Sequence, residues 1–422
     1  MGYKNYVLLL GADQYLRERA LAGIRELTPY PIWTASVEAK YKKNRYFDYN
    51  LEANPQDEIS LLEAIERQEL KGWSPKAIIP LNDWTLKVAH KLNKKLGLTS
   101  MPEKVIELSR NKDIMKNAFL ENGLPTAPFR LINNEKELLL ASEEVGYPAI
   151  IKPFDFGGSG GVYLANHISE AMECLKKSKK VVSKYANDFG IDGSSFIFEK
   201  YIKSEEEISI EVVCYDGEYK VLAVTEKYLT PEPRFAEIGH LVPSHRTEDE
   251  NLKEIACKAC DSLGITMGLA HVELKIQNNK PWIIEVGARP AGDGIMDLIE
   301  RVFDINPYKL HAASYLNINP FEFFSTSLEP NGTAAIAFLK AEPGVISNIK
   351  QPINLPEEVE SLWIHAQIGN FSEEGKCWKD REGVIELFWD QTFDYKPTQP
   401  ILISEYLSSE IFTVKEVVKY HD

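Results

Sequence analysis

Two dipeptides, Asp216-Gly217 and Asn278-Asn279, limit what this chain can fold into more than any other feature, because each separates two strand-like stretches with no room for a crossover helix. Glu207 to Cys214 meets Lys220 to Glu226 across the first, and His271 to Gln277 meets Trp282 to Val286 across the second. Strands joined this tightly pair antiparallel. A third pair, Pro148-Ala-Ile-Ile-Lys152 with Val162-Tyr-Leu164, encloses a glycine-rich segment. The region after Ser109 therefore reads as α+β, its strands joined by turns rather than helices. It opens with a helix from about Arg110 to Glu121 that stops at Asn122-Gly123.

The first hundred residues follow a different rule. Tyr6-Val-Leu-Leu-Leu-Gly-Ala12 is a buried strand running into a helix that starts near Asp13, and Lys76-Ala-Ile-Ile-Pro80 leads into a helix from Trp84 to Leu96 with Gly97 as its stop. The expected organisation is an open α/β domain over residues 1–104, an α+β domain over 105–330 and a C-terminal α+β subdomain over 331–422. Thr333 to Leu339 and Val384 to Trp389 are strand-like in the last part, which carries no motif with evident chemistry.

Charge narrows the partners. Against 63 Asp and Glu stand 48 Lys and Arg, a net charge of −15, so the molecule repels polyanions and nucleic acid is not expected. Any phosphate must be met by a local cluster. No run reaches the roughly 20 apolar residues that span a bilayer, and the first residues lack the pattern of a secretory leader, so the reading is cytoplasmic without a membrane. Five cysteines argue against a disulfide framework. Cys257 and Cys260 have metal-site spacing, but their surroundings read as a packed helix.

The segment Asp155-Phe-Gly-Gly-Ser-Gly-Gly161 lies between two strands, which separates it from phosphate loops that lead from strand to helix. It is either a plain flexible hairpin loop or a set of N–H groups turned toward an anion. Lys152 shares the strand alternation with Ile150 and sits beside it, where a buried ammonium needs an anion. Lys112 alone reads as a surface residue. In Glu205-Glu-Glu-Ile-Ser-Ile-Glu211, Glu207, Ser209 and Glu211 share a face, while Glu205 and Glu206 are expected to be solvated.

Glu273 and Glu285 flank the Asn278 turn. With a three-residue loop, 278 to 280, they fall opposite one another with Cβ atoms about 5 Å apart, and a divalent cation between them relieves their repulsion. With a two-residue loop they take opposite faces and cannot share an ion. Arg289, four residues on, reaches either a phosphoryl group or a structural carboxylate.

Taken in order, Asn111-Lys112-Asp113, Lys152-Pro153, Gly157-Gly-Ser-Gly-Gly161, Glu199-Lys-Tyr-Ile202, Glu207-Ile-Ser-Ile-Glu211, Glu273 and Glu285-x-x-x-Arg289 resemble the ATP-grasp superfamily. The resemblance implies two β-rich subdomains clamping ATP, with flanking parts like the family's N-terminal α/β domain and C-terminal lid region. It implies that Lys112 and Lys152 contact the phosphates, that Gly157, Gly158, Ser159, Gly160 and Gly161 fold over them, and that Lys227 is a further contact. Glu199, Tyr201 and Ile202 would hold the adenine and Glu207 the ribose. Glu273 and Glu285 would ligate Mg²⁺, as one or two ions with Mn²⁺ an alternative. Arg289, with Lys152, would be catalytic and would also touch substrate.

Many members follow the second metal Glu with x-Asn, whereas this chain has Gly287. That departure, Glu285 to Asp293 and Phe235 to Ser244 together look most like the L-amino-acid ligases, by which likeness Glu237 and His240 line the acceptor side. The implied reaction joins a carboxylic acid and an amine, both amino acids, through an acyl phosphate with release of ADP; a homodimer is common among such relatives. Two readings remain beside it: a ligase loading an amino acid on a carrier protein, for which Lys176 to Lys184 is the one basic docking candidate, otherwise a solvated helix end or loop, and a non-catalytic ATP-binding regulator.

Overall fold

The structure, a computed structural model, describes residues 4–12, 18–37, 47–157, 160–189, 193–324, 328–373 and 380–415. The first unit is β1 (Lys4–Leu10), α1 (Glu18–Leu27), β2 (Ile32–Ser36), β3 (Tyr49–Glu52), α2 (Glu58–Glu69), β4 (Trp73–Pro80) and α3 (Asp83–Lys95). Its parallel sheet runs β3-β2-β1-β4, as expected of buried apolar strands alternating with helices. The expected helix start near Asp13 lies outside the described residues. Asn82 caps α3 by accepting from the Thr85 N–H at 3.1 Å, which fixes where the helix begins and where Asp83 points.

Two cores meet in β1. Tyr6, Leu8 and Leu10 pack with residues of α2 and α3, while Val7 and Leu9 join the large core shared with the rest of the chain. Each such fully buried aliphatic side chain stabilises by roughly 1.5–3 kcal/mol, so the α/β unit is held to its neighbour by apolar contact.

Next come α4 (Glu103–Leu108), α5 (Lys112–Glu121), β5 (Phe129–Ile132), α6 (Glu135–Val145), β6 (Ala149–Pro153), β7 (Tyr163–Ala165), α7 (Ile168–Phe189) and β8 (Phe196–Lys200). They form a four-stranded sheet, β5-β8-β6-β7. Ile151, Phe196 and Phe198 bury one face against Leu138 and Ala141 of α6 and Ala171, Leu175 and Val182 of α7. Ile150, Lys152 and Glu199 take the other face by simple alternation.

After them follow β9 (Glu206–Tyr215), β10 (Glu218–Leu229), β11 (Glu237–Val242), α8 (Glu250–Leu263), β12 (Met267–Gln277), β13 (Lys280–Gly287), α9 (Ile295–Phe303), α10 (Pro307–Tyr315), β14 (Thr333–Leu339), β15 (Gly344–Ile349), β16 (Val359–Ile364), β17 (Phe371–Ser372), β18 (Gly383–Trp389), α11 (Gln399–Ile411) and β19 (Phe412–Lys415). The second sheet runs β13-β12-β9-β10-β11-β14-β18-β16, so the C-terminal strands extend it without a break. A three-stranded sheet, β17-β15-β19, closes the end.

Turn connections were expected throughout the middle region, and that expectation needs correction. It holds at Asp216-Gly217 and Asn278-Asn279, all four at positive φ, and for β6 and β7, which pair antiparallel across the glycine-rich segment, whereas α6, α7 and α8 stand between β5 and β6, β7 and β8, and β11 and β12. The lysine stretch 176–184 lies inside α7, its lysines on the exposed face opposite Leu175, Ser178 and Val182. A helix with one strongly charged face is easily taken for a solvated loop. No helix among the described residues is long and apolar enough to cross a membrane.

Candidate active site between two sheets

A cavity of about 980 Å³ lies between the four-stranded and eight-stranded sheets. Its walls bring together residues that the chain spreads from Asn82 to Val384. Of the residues singled out from sequence, Lys112, Lys152, Gly157, Glu199, Tyr201, Ile202, Glu207, Glu237, His240, Glu273, Glu285 and Arg289 all line it. Gly158 and Ser159 lie outside the described residues. None of the lysines of 176–184 is among the lining residues.

The carboxylate pair is set by a feature neither loop length anticipated. The turn holds two residues, with Gln277 paired to Lys280, and this register would place Glu273 and Glu285 on opposite faces. A β-bulge repairs it. Leu274 pairs with Ile283 but Glu273 pairs with Glu285, so Ile284 is the extra residue and the two carboxylates stand opposite one another. Each carries a cation: Lys227 Nζ is 3.0 Å from Glu273 and Lys112 Nζ is 3.0 Å from Glu285. Two facing carboxylates with cationic neighbours and open cavity beyond suit Mg²⁺, which takes one or two carboxylates and completes its shell with phosphate oxygens and water.

Glu273 also meets His271, whose Nε2 is 3.1 Å away while its Nδ1 lies 2.8 Å from buried Glu211. Burial opposes the charge on this imidazole, but Glu211 and Glu273 outweigh it and raise it to about 9. His271 escaped the sequence reading, although its alternation with Glu273 on β12 was available as a signal.

The lysines form a second group. Lys152 Nζ is 2.7 Å from Glu199 Oε1, and Lys116, another residue not anticipated, reaches Glu199 Oε2 at 2.9 Å and Thr126 Oγ1 at 2.8 Å. Burial works against the charge of Glu199, yet Lys116 and then Lys152 hold its carboxyl down at about 2. Burial pulls Lys116 below the ordinary lysine range, Glu199 compensating only in part. Lys112 Nζ donates to the Phe156 carbonyl at 2.9 Å, tying α5 to the glycine-rich loop. In that loop Gly161 has φ +76°, and a Cβ on Gly160 would fall 2.2 Å from the Phe156 ring, so the bare backbone there is required rather than incidental.

Two expectations are corrected here. Lys227 lies beneath the cavity floor rather than on its lining, and its ammonium serves Glu237 at 2.7 Å, Glu273 at 3.0 Å and Glu207 at 3.4 Å. Burial penalises that charge, but the three carboxylates raise the group well above the ordinary lysine value. It gathers three carboxylates. Glu206, expected to be solvated, is half-buried and bound by Arg246 through Nε at 2.8 Å and Nη2 at 2.6 Å.

Arg289 donates from Nε to Asp83 Oδ2 at 2.8 Å, and Arg110 lies 3.3 Å from Asp83 Oδ1. Burial opposes the Asp83 charge, and Arg289 with Arg110 overcomes it, holding the carboxyl well below the usual range. The α/β unit thus reaches into the site through the first residue of α3. A Cβ at Gly287 would stand 3.4 Å from the Arg289 Nε, in ordinary van der Waals contact with the guanidinium.

The far end is built by segments for which the sequence suggested no chemistry. Arg381 donates to Asp293 Oδ2 at 2.8 Å and to the Glu237 carbonyl at 3.2 Å, and its guanidinium lies 3.5 Å over the Phe338 ring. Trp363, His365 and Val384 line the same end.

Residues 145–297 match a protein family described as an ATP-grasp domain. The alanine–anticapsin ligase of Bacillus subtilis (strain 168) is 28% identical over 316 residues, which cover 69% of this chain and 63% of that protein. The chain therefore matches somewhat less than two thirds of that relative's length. The crystal structure of an L-amino acid ligase from Bacillus licheniformis superposes with a TM-score of 0.80 at 19% identity, covering 99% of this chain and all of that one. A biotin carboxylase domain of a 2-oxoglutarate carboxylase from Hydrogenobacter thermophilus, solved with MgADP and bicarbonate, shares the fold at a TM-score of 0.69 and 16% identity over 93% of this chain and 87% of its own.

Proposed function

From the premise that this chain carries an ATP-grasp domain, we propose that it is an ATP-dependent carboxylate–amine ligase that joins two amino acids through an acyl phosphate. The observation that supports this most is the bulged hairpin, which sets Glu273 and Glu285 face to face within reach of Lys112. In this reading one substrate's carboxylate oxygen attacks the γ-phosphorus of ATP, the bond to the bridging oxygen breaks, and ADP leaves. The amine of the second substrate then attacks the acyl carbon; phosphate departs, the amine proton is lost and an amide remains.

Phosphoryl transfer of this kind depends on positioning and on neutralising spread charge. Lys112 and Lys152 bring ammonium groups to the phosphate end, and Glu199 fixes the direction of Lys152. Gly157, on the cavity lining, lets the backbone approach the phosphates, while Gly160 and Gly161 of the same loop are off that lining. Tyr201 and Ile202 form the wall for the adenine and Glu207 the partner for the ribose, as lining residues of the same cavity. Mg²⁺, held by Glu273 and Glu285, would neutralise charge on the transferred phosphoryl group. Arg289 is aimed by Asp83 and stabilises the oxyanions at the reacting carbon and phosphorus.

The test is release of ADP and phosphate from MgATP by the purified protein across all pairs of the twenty amino acids, with mass spectrometry of active wells. Turnover confined to particular pairs, with a dipeptide mass and no AMP, is the expected outcome. ATP binding without turnover in any well would overturn the dipeptide reading.

A further inference from the structure

Resting on the ligase reading, we propose that Arg381 receives the free carboxylate of the amine-bearing substrate, so that the acceptor is an unblocked amino acid rather than an amine on a larger carrier.

Arg381 is the cation at the end of the cavity away from Lys112 and Lys152, and it reaches the site from beside β18, far along the chain from the nucleotide-facing residues. Its guanidinium plane is fixed by Phe338 on one side and by Asp293 and the Glu237 carbonyl at its edge. A planar donor held in one orientation is what recognises a carboxylate. The donor's carboxylate is consumed at the phosphate end beside Arg289. A carboxylate that survives the reaction belongs to the acceptor, and Arg381 stands where it would lie.

The second observation is His240. It is buried, lines the same end, and among the described residues neither ring nitrogen has a hydrogen-bond partner; the nearest carboxylate oxygens are 3.7 Å away on Asp293 and 3.8 Å away on Glu237. Buried polar groups without partners are expensive in the absence of a ligand. Glu237, His240 and Asp293 thus form a polar pocket beside a cation, matched to a zwitterion. Its ammonium would meet Asp293 and its carboxylate Arg381, replacing an internal ion pair with two intermolecular ones at no change in net charge.

The experiment compares each active acceptor amino acid with its primary α-carboxamide, in the wild type and in Arg381→Met, reading kcat/KM with the donor saturating. The expected wild-type preference for the free acid is on the order of a hundredfold, as for charge-assisted hydrogen bonds, falling to near one in R381M. A hundredfold preference that persists in R381M overturns the proposal, as does a wild type that uses acid and amide equally.

Isothermal titration of the same acids and amides into protein with MgADP repeats the comparison without turnover: acid-selective binding lost in R381M supports Arg381 even where no pair reacts. Absence of both turnover and acid-selective binding overturns it. A stabilising thermal shift with MgATP certifies that R381M is folded; should R381M fail it, R381M/D293N, which removes the carboxylate left without its arginine, takes its place in the same comparison. Turnover in the wild type with unchanged selectivity in the variant removes only this inference, whereas no turnover with any pair removes the ligase reading.

Discussion

Glu199, His271 and Lys227 have their charges set by named neighbours, and such pairing decides what single substitutions in the site do. Glu285→Gln keeps the shape and leaves Lys112 its bond to the Phe156 carbonyl, so melting should be unchanged. ADP release should fall on the order of a hundred- to a thousandfold, as for removal of one charge-stabilising group in a preorganised site. Wild-type turnover would remove Glu285 from the chemistry. His90 provides a contrast outside the cavity. Its Nδ1 accepts from the Met101 N–H at 3.0 Å and its Nε2 lies 2.9 Å from the Tyr315 hydroxyl. Burial, with His311 nearby, lowers it from 6.5 to about 3. A base depressed in the folded state contributes stability that is complete above its unfolded value and is lost as pH falls toward the folded one. The unfolding free energy of wild type relative to His90→Asn should therefore drop by up to about 1.4 kcal/mol per pH unit between roughly pH 6 and 4. A difference that stays flat over this window would contradict it.

Among the elements, the β12–β13 hairpin is the one on which the site turns. Deleting Ile284 removes the bulge, but Glu285 then follows Ile283 directly and the register of the two-residue turn by itself sets it opposite Glu273. Ile284→Ala keeps the residue count and so the bulge. Both variants keep the carboxylates face to face, so ADP release should agree between them within about tenfold, with both proteins retaining sheet content by circular dichroism. A loss of about a hundredfold or more in the deletion alone would mean that the shape of the bulge, and not only the facing pair, is required. Helix α3 has a comparable positional role, since its Asn82 cap sets the direction of Asp83 and, through it, of Arg289.

For the whole molecule, the site exists because three parts of the chain converge on it. The α/β unit supplies Asp83 and Trp84, the four-stranded sheet Lys152 and Glu199, and the long sheet the acids, His240 and, at its C-terminal end, Phe338 and Val384. Asp83→Asn removes the charge that aims Arg289 with little change of side-chain shape. We expect kcat to fall about tenfold, a loss near 1.4 kcal/mol of transition-state stabilisation, with the KM for ATP little changed. A change in that KM alone would place Arg289 in ground-state nucleotide binding instead.

What the sequence determined by itself was local. Alternation predicted the strands, Asn and Gly residues predicted where they turn, and Lys152, Glu207, Glu273 and Glu285 were legible because charge on an otherwise apolar strand is costly unless it is used. The order of those residues sufficed to suggest the fold. Tertiary structure alone decided the rest. Whether Glu273 faces Glu285 depended on a bulge whose extra residue, Ile284, is an ordinary apolar strand former with nothing to mark it. Lys227 was placed beneath the floor by three carboxylates, each on a different strand, β9, β11 and β12. Asp83, Lys116 and Arg381 joined the site from positions whose local pattern is that of a helix start, a helix face and a loop. Burial and ion pairing across hundreds of residues act through space, and periodicity along the chain carries no record of them.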